Sequence, residues 1–281
     1  MRIVNLMENT EGAAGCLFAH GLSFYVETAR HKLLLDLGPS EETLENAKTL
    51  GIDLTQVDTV ILSHGHYDHS GGILPFAGAN PHAPIYAQRT AGEDYYADDG
   101  ESAGPERYRY IGIDRRICEL PQLRLLDGDH RIDEELSLFT VRNRTHALPF
   151  TNKRLLKMEN GVPVRDEFRH EQYLVVREKE RSVLLSGCAH NGILSILDAY
   201  REKYGGCPDV AVSGFHLMKK TPYKEEQVRE IRGIAEELRQ YPTVFYTCHC
   251  TGEDAFGIMK EVMGTQLRYV HSGEEVPVRN A

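Results

Sequence analysis

A layered α/β domain is what this 281-residue chain predicts, and three observations predict it. Apolar runs of strand length alternate with stretches of helical periodicity, the pattern a sheet covered by helices requires. Four of the strands run into turns that carry histidine, and the carboxyl ends of strands are where open α/β sheets build their sites. No internal repeat, low-complexity tract or linker divides the chain. One domain, 1–281, with two irregular excursions at about 88–131 and 143–166, is the economical division.

Ile3 to Met7 is a short apolar strand. Cys16 to Glu27 and His31 to Leu37 are two more around the turn Thr28-Ala29-Arg30, the second running Leu33-Leu34-Leu35-Asp36. Ser40 to Leu50 is predicted helical: Ser40 suits the N-cap, Glu41 and Glu42 the positive first turn, and Gly51 stops it. Leu44, Ala47 and Leu50 form its apolar stripe. The apolar run Val57 to Leu62 leads into a histidine-rich turn, then a short helix from Gly72 to Phe76 and a strand Pro84 to Ala87. From Gln88 to about Arg131 the pattern breaks into an acidic, tyrosine-rich segment, long enough to serve as a lid, a dimer contact or a solvated excursion. Leu136 to Val141 resumes strand character, and Asn143 to Asp166 is the second irregular stretch.

Tyr173 to Arg177 and Ser182 to Ser186 form a predicted hairpin. Asn191 to Tyr204 is amphipathic, with Ile193, Leu194, Ile196, Leu197 and Tyr200 on one face. A strand Asp209 to Ser213 follows. Lys224 to Gln240 is the clearest helix, with Val228, Ile231, Ala235 and Leu238 inward and Tyr241-Pro242 ending it. Thr243 to Thr247 is the last core strand and Glu253 to Met263 the last helix.

A formal net charge of -10 argues against nucleic acid or an acidic membrane surface as the main partner. The basic cluster Arg142, Arg144, Lys153, Arg154 and Lys157 is a solvated face or a hold for one anionic substrate. The amino terminus does not have the form of a signal peptide, and no run approaches the length that spans a bilayer. The six cysteines show no framework spacing, as expected of reduced thiols in a cytoplasmic protein.

The chemistry concentrates in Ser63-His64-Gly65-His66-Tyr67-Asp68-His69-Ser70. Imidazole nitrogen and carboxylate oxygen are the mixed ligand set that zinc accepts. His64 and His66 are placed to bind one cation while Asp68 and His69 reach a second. Three later strands run into Cys188-Ala189-His190, Gly214-Phe215-His216 and Cys248-His249-Cys250. A lone histidine after a strand is more often structural than a ligand; three at equivalent places, with a fourth cluster, reverse those odds.

The first stretch resembles the His-x-His-x-Asp-His signature of the metallo-β-lactamase superfamily. A histidine, not a carboxylate, at position 66 makes it similar to the hydrolytic, zinc-type branch. The resemblance implies a four-layer αββα sandwich and two divalent cations, zinc first, with manganese or iron as alternatives. It implies that Asp36 supports the metal loop from behind, and that His249 sits on the second metal. Many relatives carry an aspartate bridging the metals where this chain has Cys188, so His190 becomes the sixth ligand, with His170 the other candidate. Cys188 is then a thiol beside the metals, with thiolate ligation as the alternative. The combined motifs resemble a narrower subgroup related to ribofuranosylaminobenzene 5'-phosphate synthase, a dihydropterin-condensing enzyme.

The expected ligand set is therefore His64, His66, Asp68, His69, His190 and His249, with Asp36 and Cys188 behind it. Asp68 or His216 would move the proton, His216 as donor or oxyanion stabiliser. Three activities compete: a dinuclear hydrolase of a small-molecule ester, phosphoester or lactam-type bond, a metal-dependent transferase or condensing enzyme, and a non-catalytic metal sensor. Arg144, Lys153 and the Tyr95 to Tyr110 segment point to a phosphorylated or heterocyclic small molecule as substrate. A homo-oligomer is left open.

Overall fold

The computed structural model describes residues 1–278. Its first half builds β1 (Arg2–Met7), β2 (Ser23–Glu27), β3 (Lys32–Leu35), α1 (Glu42–Thr49), β4 (Thr59–Ile61), α2 (Tyr67–Ser70), α3 (Ile73–Ala79) and β5 (Ile85–Gln88). The first excursion holds β6 (Tyr95–Asp98), β7 (Tyr108–Tyr110), β8 (Leu123–Leu126) and β9 (His130–Arg131); β10 (Leu136–Phe139) follows. The second holds β11 (Leu155–Glu159) and β12 (Val162–Arg165). The remainder is β13 (Tyr173–Glu178), β14 (Arg181–Leu185), α4 (Ile193–Tyr204), β15 (Val210–Val212), α5 (Glu225–Leu238), β16 (Val244–Thr247), α6 (Glu253–Met263), β17 (Leu267–Tyr269) and β18 (Glu275–Val276).

The strands form two seven-stranded sheets, in the orders β18-β1-β2-β3-β4-β5-β8 and β17-β16-β15-β14-β13-β10-β9. Side-chain alternation along each strand shows how they stack. Leu33 and Leu35 of β3 enter a core shared with Leu136, Val183 and Leu185 of the other sheet, whereas Leu34 between them packs with Ala47 and Phe76 under α1 and α3. In β14, Val183 and Leu185 face the shared core and Leu184 faces Leu197, Ile231 and Met259 of α4, α5 and α6. Helices therefore cover both outer faces of a sheet pair. This is the expected four-layer αββα sandwich.

The helix stripes fall as their periodicity predicts: all five expected α4 residues are buried, as are Ile231, Ala235 and Leu238 of α5, with Val228 half-buried. The Ser40 to Leu50 helix begins later than expected, at Glu42, with the Ser40 hydroxyl accepting from the Glu42 N–H.

The sheets are alike in a way that no residue pattern displays. In the first, β18, β1, β2 and β3 pair antiparallel and β3, β4, β5 and β8 parallel. In the second, β9, β10, β13 and β14 pair antiparallel and β14, β15, β16 and β17 parallel. The chain thus repeats a topology without repeating a sequence, because pairing asks for apolar alternation and not for particular residues.

The two excursions are not irregular. β8 and β9 close the first as edge strands of the two main sheets, and the remaining strands of both pair with one another in a third, antiparallel sheet, β12-β11-β6-β7, with Leu155 opposite Ala97 and Ala97 opposite Arg109. Tyr95, Ala97, Ile111, Leu155 and Phe168 are its buried core. Segments some sixty residues apart become one cap.

His31 ties the sandwich together, its Nδ1 3.0 Å from Asp58 and its Nε2 2.7 Å from Asp133, which lies shortly before the second sheet's β10. Burial opposes charge on this ring, but the two carboxylates outweigh it and raise its pKa. A raised histidine stabilises the fold fully below its unfolded value of about 6.5 and loses that contribution as pH climbs through the folded value. Urea titrations should therefore show wild type losing stability relative to His31→Gln as pH rises from about 6 to 8. A pH-independent difference between the two would contradict this.

Candidate metal centre

Strands β3 and β4 lie side by side, and their carboxyl ends deliver the first half of the site. Asp36, directly after β3, is fully buried with φ of 61°. Its Oδ1 accepts the Ser63 N–H at 2.7 Å, and its Oδ2 accepts the Ser63 hydroxyl and the His69 Nδ1–H, both at 2.6 Å. One carboxylate thus braces the whole turn from Ser63 to His69. Gly65 lets that turn press against its neighbour: a Cβ there would stand 2.3 Å from the Ala91 carbonyl oxygen.

The hydrogen bonds set the tautomers of the histidines. Because the Ser63 hydroxyl donates to Asp36, its oxygen accepts from Nδ1–H of His64 at 2.8 Å. Nδ1 of His190 donates to Asn152 Oδ1 at 3.0 Å, and Asn152 Nδ2 returns a bond to the His190 carbonyl at 2.7 Å. Asn9 treats His249 the same way, Oδ1 taking Nδ1–H at 2.8 Å and Nδ2 reaching the His249 carbonyl at 3.3 Å. In each ring the lone pair is left on Nε2. The Nε2 atoms of His64, His66, His190 and His249 are buried with no hydrogen-bond partner. Four orphaned imidazole nitrogens in a protein interior call for a ligand, since buried polar atoms are otherwise almost always satisfied.

These nitrogens fall into two groups. The ligand atoms of His64, His66 and His190 lie within 4.8 Å of one another. Burial, and after it chiefly neighbouring imidazoles, holds His64 and His190 well below the ordinary histidine value and His66 down to about 3. The rings are neutral, as metal ligands must be. Around Asp68 Oδ2 stand His249 Nε2 at 3.5 Å and His69 Nε2 at 3.9 Å. Burial works against charge on Asp68, yet His69, His249 and His20 around it hold its carboxyl well below the usual range. Cys188 Sγ sits between the groups, 3.2 Å from His69 Nε2 and within 4.8 Å of the His64 ligand atom. Burial pushes its thiol up.

His170, the other candidate for sixth ligand, has both ring nitrogens engaged. Nδ1 accepts the Gly65 N–H at 2.9 Å and Nε2 meets Asp166 at 2.9 Å. It props the metal loop from the cap side. His190, by contrast, points its unpartnered nitrogen at His64 and His66. His216 lines the same cavity, its ring 4.1 Å from that of His190. The Thr151 hydroxyl donates to the His216 carbonyl, so its oxygen accepts from Nδ1–H at 2.8 Å and the lone pair again sits on Nε2. In that tautomer His216 accepts a proton before it can give one.

Several residues that position the site carried no signal in the sequence. Glu8, fully buried, accepts the His249 N–H at 3.0 Å; Glu171, buried, accepts those of His190 at 2.6 Å and Asn191 at 2.8 Å. With Asn9 and Asn152 they fix both histidines by backbone and ring together. Loss of such an outer partner typically lowers metal affinity about 10–100-fold. Asn152→Ala is expected to show that drop in a chelator competition, with the fold intact by circular dichroism. Wild-type affinity in the variant would show that Asn152 does not orient His190.

The cavity, about 150 Å³, opens between the sandwich edge and the cap. Ala97, Arg109, Ile111, Arg154 and Leu155 line it from the cap side. Arg109 and Arg154 both pair with Asp99, Arg109 at 2.9 Å. The basic residues expected here, Arg144 and Lys153, do not line it; Arg144 bonds Asn191 at 2.8 Å. Nor do the cap tyrosines. Tyr95 is buried against His170 and donates to the Thr90 carbonyl, and Tyr96 packs edge-on against Tyr110. Among the described residues Tyr67 is the one tyrosine on the cavity wall.

The pattern of the metallo-beta-lactamase superfamily matches residues 18–149, which include the whole turn from His64 to His69. The crystal structure of Tm1679, a metal-dependent hydrolase of the beta-lactamase superfamily, superposes with a TM-score of 0.80 at 29% identity, covering 98% of each chain. Residues 18–149 thus carry the superfamily's pattern, and the chain as a whole shares the fold of that metal-dependent hydrolase. Among sequence relatives, 7,8-dihydropterin-6-methyl-4-(beta-D-ribofuranosyl)-aminobenzene-5'-phosphate synthase of Methanocaldococcus jannaschii is 27% identical over 294 residues, spanning 98% of this chain and 95% of that one. An uncharacterized protein of the same organism is 25% identical over 265 residues, 92% of this chain and 93% of that one. The superfamily typically binds divalent metals, and the clusters here are candidate sites for them. No helix among the described residues is long and apolar enough to cross a membrane.

Proposed function

We propose that this protein is a dinuclear metal-dependent hydrolase of a small-molecule ester, phosphoester or lactam-type bond. The observation that carries the reading is the set of four buried Nε2 atoms without partners: those of His66, His190 and His249, which line one cavity, and that of His64, within 4.8 Å of the His66 and His190 ligand atoms. His64, His66 and His190 would hold one divalent cation, and Asp68, His69 and His249 the other, with zinc the first candidate. Two such cations supply polarisation of a carbonyl or phosphoryl oxygen and lower the pKa of water toward neutrality. The chain's own residues do the rest. His216 Nε2 receives a proton at the cavity wall, Asp68 orients toward His69 and His249, and the cap excludes bulk water. Arg109 and Arg154 face the incoming substrate with positive charge, which favours an anionic group such as a phosphate.

A panel of lactones, phosphodiesters and lactams, each with and without chelator, tests the hydrolase. Chelator-sensitive turnover on one class supports it, and its absence on all leaves the metals without hydrolytic use. On any anionic substrate found, Arg109→Ala and Arg154→Ala should each raise KM about 10-fold or more, the worth of one charge-assisted hydrogen bond, with kcat changed less. A fall in kcat at constant KM would place these residues in the chemistry itself.

A transferase or condensing reaction is the second reading, favoured by the similarity to the M. jannaschii synthase over nearly the whole chain. Incubation with a dihydropterin and a phosphoribosyl-type substrate tests it.

A further inference from the structure

His20 belongs to none of the motifs above. It sits just before β2, half exposed at 49%, on the wall of the metal cavity. Its Nε2 lies 3.3 Å from Asp68 Oδ2, the oxygen that His249 Nε2 and His69 Nε2 also approach, at 3.5 and 3.9 Å. The ligand atoms of His20, Asp68 and His249 lie within 4.8 Å of one another, and the two rings stand 5.0 Å apart at 35°. A simple imidazole–carboxylate pair would account for His20 beside Asp68. It would not account for the partnerless, buried His249 nitrogen being turned toward the same oxygen. Three imidazole nitrogens gathered around one carboxylate oxygen offer four donors, the number that closes a tetrahedral site.

Resting on the two-cation reading, we propose that His20 is a fourth protein ligand of the second cation, together with Asp68, His69 and His249. The two sites then differ in kind. The group of His64, His66 and His190 offers three protein ligands and keeps a position open, the arrangement of catalytic zinc, whereas four protein ligands close a site. Substrate and water reach the first cation, and the second is a fixed positive charge beside it. His20, on the solvent side of a loop, is also the ligand whose removal disturbs packing least.

Cobalt(II) titration of the metal-free protein tests this by absorption, independently of turnover. In wild type the second equivalent should develop the intense visible bands of a four-coordinate ion. In His20→Ala the first equivalent should bind as before. The second should weaken more than about 100-fold, beyond the ~10–100-fold of an outer-shell loss, with fainter bands as the coordination changes. His20→Gln keeps a hydrogen-bonding group near Asp68 but no imidazole, and should behave as His20→Ala does. Free imidazole should restore the second site in His20→Gly. A second equivalent bound with wild-type affinity and spectrum in His20→Ala, or wild-type behaviour of His20→Gln, would overturn the assignment of His20 alone. Fewer than two equivalents bound by wild type would instead defeat the two-cation reading before any variant is made.

Discussion

His66→Ala is expected to reduce tightly bound metal from two equivalents per chain to one or fewer. Its Nε2 is buried, has no partner and lies within 4.8 Å of the ligand atoms of His64 and His190. Three neutral nitrogens with an open position make a catalytic-type site, and two do not. Since even an outer-shell partner is worth about 10–100-fold in affinity or activity, losing a direct ligand should cost more than about 100-fold in kcat/KM on whichever substrate is found. Metal analysis of purified wild type and variant decides the matter. Equal metal content in both would mean that the cations sit elsewhere.

Replacing Asp36 with alanine should produce the largest loss of stability. Three donors lose their acceptor at once: the Ser63 N–H, the Ser63 hydroxyl and the His69 Nδ1–H. All lie in the interior, where an unsatisfied polar group costs about 1–3 kcal/mol and breaking a buried charged pair about 3–5 kcal/mol. Alanine would also have to hold φ of 61°, a conformation that costs a side chain with no local hydrogen bond about 1–2 kcal/mol. A loss of at least about 3–5 kcal/mol in urea denaturation of the metal-free protein is expected for Asp36→Ala. An asparagine tolerates the positive φ and keeps one acceptor oxygen, so Asp36→Asn should fall between wild type and the alanine variant. Destabilisation below about 1 kcal/mol by the alanine variant would show that the turn does not depend on this carboxylate.

The aspartate illustrates how much of the site can be read from neighbours in the chain. Asp36 ends an apolar strand, and the run from Val57 to Leu62 delivers His64, His66, Asp68 and His69 within six residues. Short spacing forces those four together whatever the rest of the fold does. His190, His216 and His249 are legible for another reason: each follows a strand, and carboxyl ends of neighbouring parallel strands share an edge. The helix faces, too, are written in a period of 3.6 that burial imposes locally.

What the sequence by itself determined, then, was a layered α/β fold and the chemistry along its edge, because strand and helix periodicity and ligand spacing are local properties; the four-layer sandwich was implied by the resemblance of its motifs. The tertiary structure alone decided what depends on partners distant in the chain. It joined residues 95–110 to 155–165 as a cap, and it left His190 with a partnerless nitrogen while engaging both nitrogens of His170. It enlisted Asn9, Asn152, Glu8 and Glu171 to hold the rings. It brought His20 to Asp68 from a different loop of the chain. Short strands and single polar side chains have no period to betray them, and their roles exist only once the backbone has closed around them.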